Sequence, residues 1–196
     1  MALRLTLLLA LTLTLRPALG QSSSSLPDGV TVAAGLNQPL LFRGANASVT
    51  VRKGRLVADY SHGIALDLNA NGGPALTQAE HDQNLDVDVP WTTGFGVGYR
   101  VTGRLDVRAE AKAHRFNVTP PEGETIAYTA YSVGAGVYYR IPVWRGLEIE
   151  PSLRYWPTVA STLSETDGTF AGPDGPLRHE AHSFDAFANV SVGWSF

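Results

Sequence analysis

The sequence predicts an all-β chain folded as an antiparallel up-and-down barrel of eight strands that crosses a membrane, and three observations carry that prediction. Apolar and polar residues alternate along nearly every segment after residue 28, which is the period of a strand and not of a helix. Short connections rich in basic residues and glycine take turns with long polar ones. Charged residues make up only 17% of the chain, yet its mean hydropathy is -0.03. A transmembrane barrel reconciles scarce charge with modest hydropathy, because lipid-facing residues alternate with polar interior ones.

The first element is a leader. Arg4 supplies a short positive region, residues 5–15 are apolar with interspersed threonines, and Ala18-Leu19-Gly20 offers small residues at a cleavage position. This reads as a secretory signal peptide over 1–20, too short to span a bilayer comfortably. Residues 21–27, with the run Ser22-Ser23-Ser24-Ser25, read as a flexible linker, and 28–196 as the barrel. There is no cysteine, which excludes disulfides, thiolate metal sites, a cysteine nucleophile and a lipidated N-terminal cysteine. No second long apolar run follows the leader, so a membrane crossing by the mature chain requires a closed barrel.

Strands are placed by the turns. Arg52-Lys53-Gly54-Arg55, Thr102-Gly103-Arg104 and the stretch 141–146 each lie between two alternating runs, a hairpin signal. Longer connections are expected at 68–90, 117–125 and 160–181. The intervening strands are 44–52, 55–67, 91–101, 104–116, 126–140, 146–158 and 183–196. An even number is expected of such barrels, and 29–36 supplies the eighth strand, followed by a short loop over 37–42.

The alternation assigns faces. After Thr102-Gly103-Arg104, Leu105, Val107, Ala109, Ala111 and Ala113 form one face, while Asp106, Arg108, Glu110, Lys112 and His114 form the other. A charge at mid-bilayer on the lipid face costs about 2–4 kcal/mol, so the charged ladder points inward. Gly94, Gly96 and Gly98 of the preceding strand then face the lumen and leave room for it, with Phe95, Val97 and Tyr99 outside. The same logic puts Tyr131, Val133, Ala135, Val137 and Tyr139 outside, and likewise Leu147, Ile149, Leu153 and Tyr155. The last strand presents Ala186, Ala188, Val190, Val192, Trp194 and Phe196 to lipid. Aromatics at strand ends (Tyr99, Tyr139, Tyr155, Trp194, Phe196) suit interfacial girdles.

The final strand, Ser191-Val192-Gly193-Trp194-Ser195-Phe196, ends on an aromatic and resembles the assembly signal of bacterial outer-membrane barrels. With the leader and the strand plan, the whole mature chain resembles the small outer-membrane barrels of the OmpA, OmpX and OmpW type. The resemblance is architectural and implies export to the outer membrane of a Gram-negative envelope. It also implies insertion by the barrel-assembly machinery, with Trp194 and Phe196 in the signal, and short turns on the periplasmic side. Activity does not follow from the fold.

Three groups of residues are functional candidates. Arg52, Arg55, Arg108, Lys112 and Arg154 share the expected lumen with Asp59, Asp106, Glu110, Glu148 and Glu150. Eight strands enclose only enough room for side chains, which favours a paired network filling the barrel over a narrow ion path. The long loops carry Asp67, Glu80, Asp82, Asp86, Asp88, Glu122, Glu124, Glu165, Asp167, Asp174 and Glu180. Such a rim could hold divalent cations against anionic lipopolysaccharide, but no loop has EF-hand spacing, and a solvated surface is the plainer expectation. Finally, His114, Asp67, Ser183 and His182 reach the outer rim, with His179 nearby, and a serine nucleophile needs a histidine and an acid. Lipid A deacylase barrels carry a His-x-Ser motif on a strand. This chain has His114-Arg115-Phe116 and His182-Ser183-Phe184 instead, which argues against carrying over that activity. His62 is expected outward.

Phosphate-binding glycine loops, helical recognition elements and zinc-ligand spacing are absent from the sequence, so no cofactor, metal or nucleic acid is expected. The expectation is a monomeric, non-enzymatic barrel with a structural or surface-contact role toward membrane lipids and lipopolysaccharide. The alternatives are a narrow channel for ions or small apolar molecules and a lipid-modifying enzyme.

Overall fold

The computed structural model describes residues 26, 28–163, 168–172 and 175–196. The expected signal peptide, most of the linker and the acidic residues 165, 167 and 174 lie outside them. The strands are β1 (Gly29–Gly35), β2 (Ala45–Lys53), β3 (Leu56–Asp67), β4 (Asp86–Arg100), β5 (Leu105–Thr119), β6 (Ile126–Tyr139), β7 (Ile141–Trp144), β8 (Leu147–Trp156), β9 (Thr158–Ser161), β10 (Thr169–Gly172), β11 (Gly175–Arg178) and β12 (Asp185–Ser195). Two short helices, α1 (Asn37–Leu41) and α2 (Gln78–Asp82), sit at the long-loop end.

The barrel is antiparallel and closed, with eight staves. Neighbours in the sheet are neighbours in sequence through β6, which then pairs with β8 and β9; β8 pairs with β12, and β12 with β1. β8 and β9 form one stave broken at Pro157, whose missing N–H cannot join a ladder. β7 continues the β6 stave toward the short turn and pairs with β8. The remaining hairpin, β10 with β11, stands apart in the last long loop.

Burial follows the alternation. In β5, Asp106, Arg108, Glu110, Lys112, His114, Phe116 and Val118 are all buried, and the residues between them are exposed or half-buried. Phe95, Val97, Tyr99, Val133, Val137, Leu153 and Tyr155 are exposed. An apolar exterior of this kind is what a transmembrane barrel presents to hydrocarbon. Among the described residues no helix is long and apolar enough to cross a membrane.

The structure departs from the expected loops at the outer end. β4 begins at Asp86 and β5 continues to Thr119, where connections were expected over 68–90 and 117–125. The register shifts between Asp88 and Trp91, a bulge at Pro90, where no N–H exists to continue the ladder. The bulge inverts the faces: Val87 and Val89 point inward before it, Gly94 and Gly96 after it. The alternation of Leu85-Asp86-Val87-Asp88-Val89 is therefore a strand signal read out of phase with the one that follows. Where a loop was expected over 37–42, α1 stands.

Candidate functional site

The interior is filled in layers along β5. Toward the short turns, Arg52 Nε donates to Asp106 Oδ2 at 3.2 Å and its Nη2 to Glu150 Oε2 at 2.6 Å, while Nη1 lies 3.9 Å from Glu148 Oε1. Arg108 Nη2 donates to Asp106 Oδ2 at 3.0 Å and Glu150 Oε2 at 3.3 Å, and Nη1 stands 3.6 Å from Asp59 Oδ1. The Arg108 guanidinium also lies 3.7 Å from the centre of the Tyr138 ring. Glu110 accepts from the Tyr138 hydroxyl and, at 2.6 Å, from Trp156 Nε1–H. Lys112 Nζ donates to Ser61 Oγ at 2.6 Å and lies 3.9 Å from Glu110. Arg154 is held between the rings of Tyr138 and Trp156 at 4.9 and 5.0 Å. Charges this deep persist only when paired and hydrogen-bonded.

Nine of the ten expected lumen residues meet in this network, and Arg55 does not. It sits in the turn after Gly54, exposed, with its guanidinium 5.6 Å from the Tyr99 ring. Strand parity ends at the turn, and a long side chain there reaches water without the cost of desolvating its charge. Arg100, which the sequence reading missed, takes the lumen end instead: it is fully buried and donates to the Gly54 carbonyl at 2.9 Å. Its position after Gly94, Gly96 and Gly98 on the inward parity of β4 is the signal that could have found it.

The glycines make this filling possible. A Cβ on Gly96 would overlap an Asp59 carboxylate oxygen, and one on Gly94 the Lys112 side chain.

Above Lys112 the interior turns apolar. Phe42, Leu66, Leu68, Leu85, Val87, Val89, Phe116, Val118, Tyr128 and Ala130 form one buried cluster, with Phe184 and Phe187 packed on it. Between network and plug lies a cavity of ≈ 40 Å³ lined by Lys112, His114, Arg154 and Phe187, among others.

The plug contains a buried polar cluster drawn from three distant segments. Glu80 is 2% exposed, not part of a solvated acidic rim as its composition suggests. Thr77 caps α2 through a reciprocal pair with Glu80: Thr77 N donates to Glu80 Oε2 at 2.7 Å and Glu80 N to Thr77 Oγ1 at 3.2 Å. Glu80 Oε1 lies 2.9 Å from His182 Nδ1 and 3.8 Å from His179 Nδ1. Tyr128 ties the cluster to the barrel wall, its hydroxyl 2.9 Å from His179 Nε2 and accepting from His182 N at 2.9 Å. Burial acts to raise the Glu80 pKa, but the hydrogen bond and charge of His182 and the Thr77 contacts outweigh it and hold the carboxyl below its ordinary value. Burial lowers the His179 pKa against the opposing pull of Glu80. The cluster floors a cleft of ≈ 530 Å³ at the outer end.

The residues considered for catalysis are not assembled into a triad. His114 Nδ1 is 2.8 Å from Thr92 Oγ1, His182 is held by Glu80, and Asp67 lies 3.6 Å from Arg43. Ser183 Oγ donates to Asp185 Oδ1 at 2.7 Å and accepts from Thr158 N at 3.1 Å, so its hydroxyl engages an acid and a backbone amide in place of a histidine. His62 is exposed on the outer face. Oxygens of Asp67, Asp86 and Asp88 lie within 4.8 Å of one another, where Asp67 Oδ1 already accepts from the amides of Asn69 and Ala70. At the short-turn end, Trp194 pairs across from Leu147 and is exposed, as is Phe196.

No protein-family model matches the chain, and no curated protein does. Among solved structures it is similar to a major outer membrane protein from Thermus thermophilus, with 14% identity and a TM-score of 0.46 over 86% of this chain and 99% of that one. It is also similar to Ail, the attachment invasion locus protein of Yersinia pestis, with 10% identity and a TM-score of 0.44 over 86% of this chain and 97% of that one. The fold is a closed eight-stranded antiparallel β-barrel that resembles outer-membrane barrels.

Proposed function

We propose that the chain is an outer-membrane barrel with a closed lumen, delivered by a cleaved signal peptide, whose role is structural and whose long loops are its contact surface. One observation supports this above the others: ion pairs fill the lower interior and an apolar plug the upper, with only a cavity of ≈ 40 Å³ between them. An ion crossing it would have to separate Arg108 from Asp106 and Glu150 and then pass the buried side chains of Phe116, Tyr128 and Val87. The plug fixes the outer loops on a rigid base, which suits a contact surface for outer-membrane lipids and lipopolysaccharide. The β1–β12 ladder closes the sheet, and α1 covers the short stretch of β12 beyond it, so no full strand edge calls for a second copy.

Planar-bilayer recording on the refolded chain tests the closed lumen. The expected result is no conductance step above the lipid background. Reproducible ohmic steps that scale with salt would replace this reading with a channel. Fractionation of the native host tests the location, with the chain expected in outer-membrane fractions and its N-terminus beginning after Gly20.

A further inference from the structure

We infer that a notch in the barrel wall between α1 and β12 is a binding site for an acyl chain of a membrane lipid, entered sideways from the bilayer at the long-loop end. The inference rests on the membrane-barrel reading, and it starts from unequal strand lengths. β1 has seven residues and β12 eleven. Their ladder runs only from Thr31 opposite Ser195 to Gly35 opposite Ser191. Beyond it, β12 continues for six residues paired to β8 alone, Asp185 opposite Trp156 through Val190 opposite Pro151. On its other side the place of a strand is taken by α1, tethered by two bonds: Leu36 N to the Val190 carbonyl at 2.8 Å and Asn37 Nδ2 to the Ala188 carbonyl at 2.6 Å.

A helix cannot follow a strand edge closely, because its width is about 10 Å against the ~4.8 Å spacing of paired strands. The mismatch leaves a cleft of ≈ 270 Å³, lined by Leu41, Phe42, Pro74, Ala75, Phe187 and Ala188, among others. Apart from Asn37 the side chains that line it are apolar. The cleft joins the two faces of the wall: Ala186 and Ala188 point outward and are exposed, whereas Phe187 points inward and Phe42 is 4% exposed.

The surroundings say what fills it. Across the β12–β8 ladder, Ala186 lies opposite Tyr155 and Ala188 opposite Leu153, and both partners are exposed apolar residues of the exterior belt. Leu40, 67% exposed, carries the belt across α1. The mouth of the notch is thus continuous with the surface that lipid tails cover. A methylene that enters such a site from water is stabilised by burial, but one that enters from the bilayer gains little. Occupancy therefore depends on packing against Phe42 and Phe187, and exchange with bulk lipid is expected. The same phenylalanines border the inner cavity beside Lys112 and His114, so they separate the notch from the lumen.

The test uses the full mature chain in vesicles of phosphatidylethanolamine and phosphatidylglycerol containing a phospholipid with a diazirine midway along one acyl chain. After irradiation, adducts are mapped by peptide mass spectrometry. The expected result is labelling of Phe187 or Phe42 at a yield comparable with that of Leu153, a belt residue. Adducts on Leu153, Val133 and Val97 with none on Phe187, Phe42, Pro74 or Ala75 would overturn the notch and leave the membrane barrel standing. No adducts on the belt, with the chain shown to be folded, would overturn both.

Discussion

Replacing Arg108 by methionine tests whether the lumen charges are truly dry. The substitution keeps an unbranched apolar stem and removes the cation. Asp106 and Glu150 retain Arg52 at 3.2 and 2.6 Å, so neither is stranded. Asp59 is different: among the described residues Arg108 is the one cation within ion-pair distance of it, at 3.6 Å. Stranding a buried charge costs about 3–5 kcal/mol, and the lost stacking on Tyr138 belongs to the same change. Arg108→Met is therefore expected to lower unfolding stability by at least about 3 kcal/mol, roughly a hundredfold in the equilibrium constant. Adding Asp59→Asn removes the stranded charge, and the double variant is expected to recover about 1–2 kcal/mol of that loss. Equilibrium urea unfolding in lipid vesicles, followed by tryptophan fluorescence, measures both. A loss below about 1 kcal/mol, the range of a hydrated ion pair, would refute the reasoning and imply a water-filled lumen. So would a double variant no more stable than Arg108→Met alone.

Two further outcomes are expected. Gly134→Ala places a Cβ against the backbone carbonyl of Tyr155, which has no freedom to move aside, and overpacking of this kind costs about 1–3 kcal/mol; Gly103→Ala, which meets only Leu26 at 3.8 Å, is expected to be neutral, and equal stability of the two in the same urea titration would contradict the packing. Acid is expected to loosen the outer cluster. His179 has its pKa lowered from 6.5 in the folded state, so the unfolded loop binds the proton more tightly, and stability present above pH 6.5 falls as pH drops below it. Glu80, lowered from 4.5, adds a second loss as pH falls through its folded value. Hydrogen exchange at 78–82 and 179–182 between pH 7.5 and 4 is expected to quicken beyond its intrinsic pH trend, while β5 stays protected. Exchange that slows relative to that trend would contradict the assignment.

Much of the fold was legible because a barrel wall is written with period two. Each strand has one face in lipid and one in a crowded lumen, so composition alternates wherever the wall is regular, and Asp106 through Lys112 could be turned inward from sequence alone. The cost of a charge facing lipid made that choice independent of any neighbour. Short turns were legible for a similar reason, since Lys53-Gly54 and Thr102-Gly103 leave the chain no room for anything else.

What the sequence did not disclose depends on contacts between distant segments. Arg55 left the expected lumen because parity fails at a turn, and Arg100 fills the lumen end in its place. β4 was shortened in the reading because the bulge at Pro90 reverses its faces, and only pairing with β5 reveals that the strand continues. The outer cluster joins residues 80, 128, 179 and 182, and the His182–Glu80 contact spans 102 positions; no local pattern announces it, since an isolated glutamate in a polar loop reads as solvated. The notch beside β12 is equally invisible, because it arises from the different lengths of β1 and β12. The sequence by itself determined which side of each strand meets lipid, through the local cost of exposing or burying a side chain. Only the tertiary structure decided how the barrel ends, where closure, register and loop packing set which residues have a partner within reach.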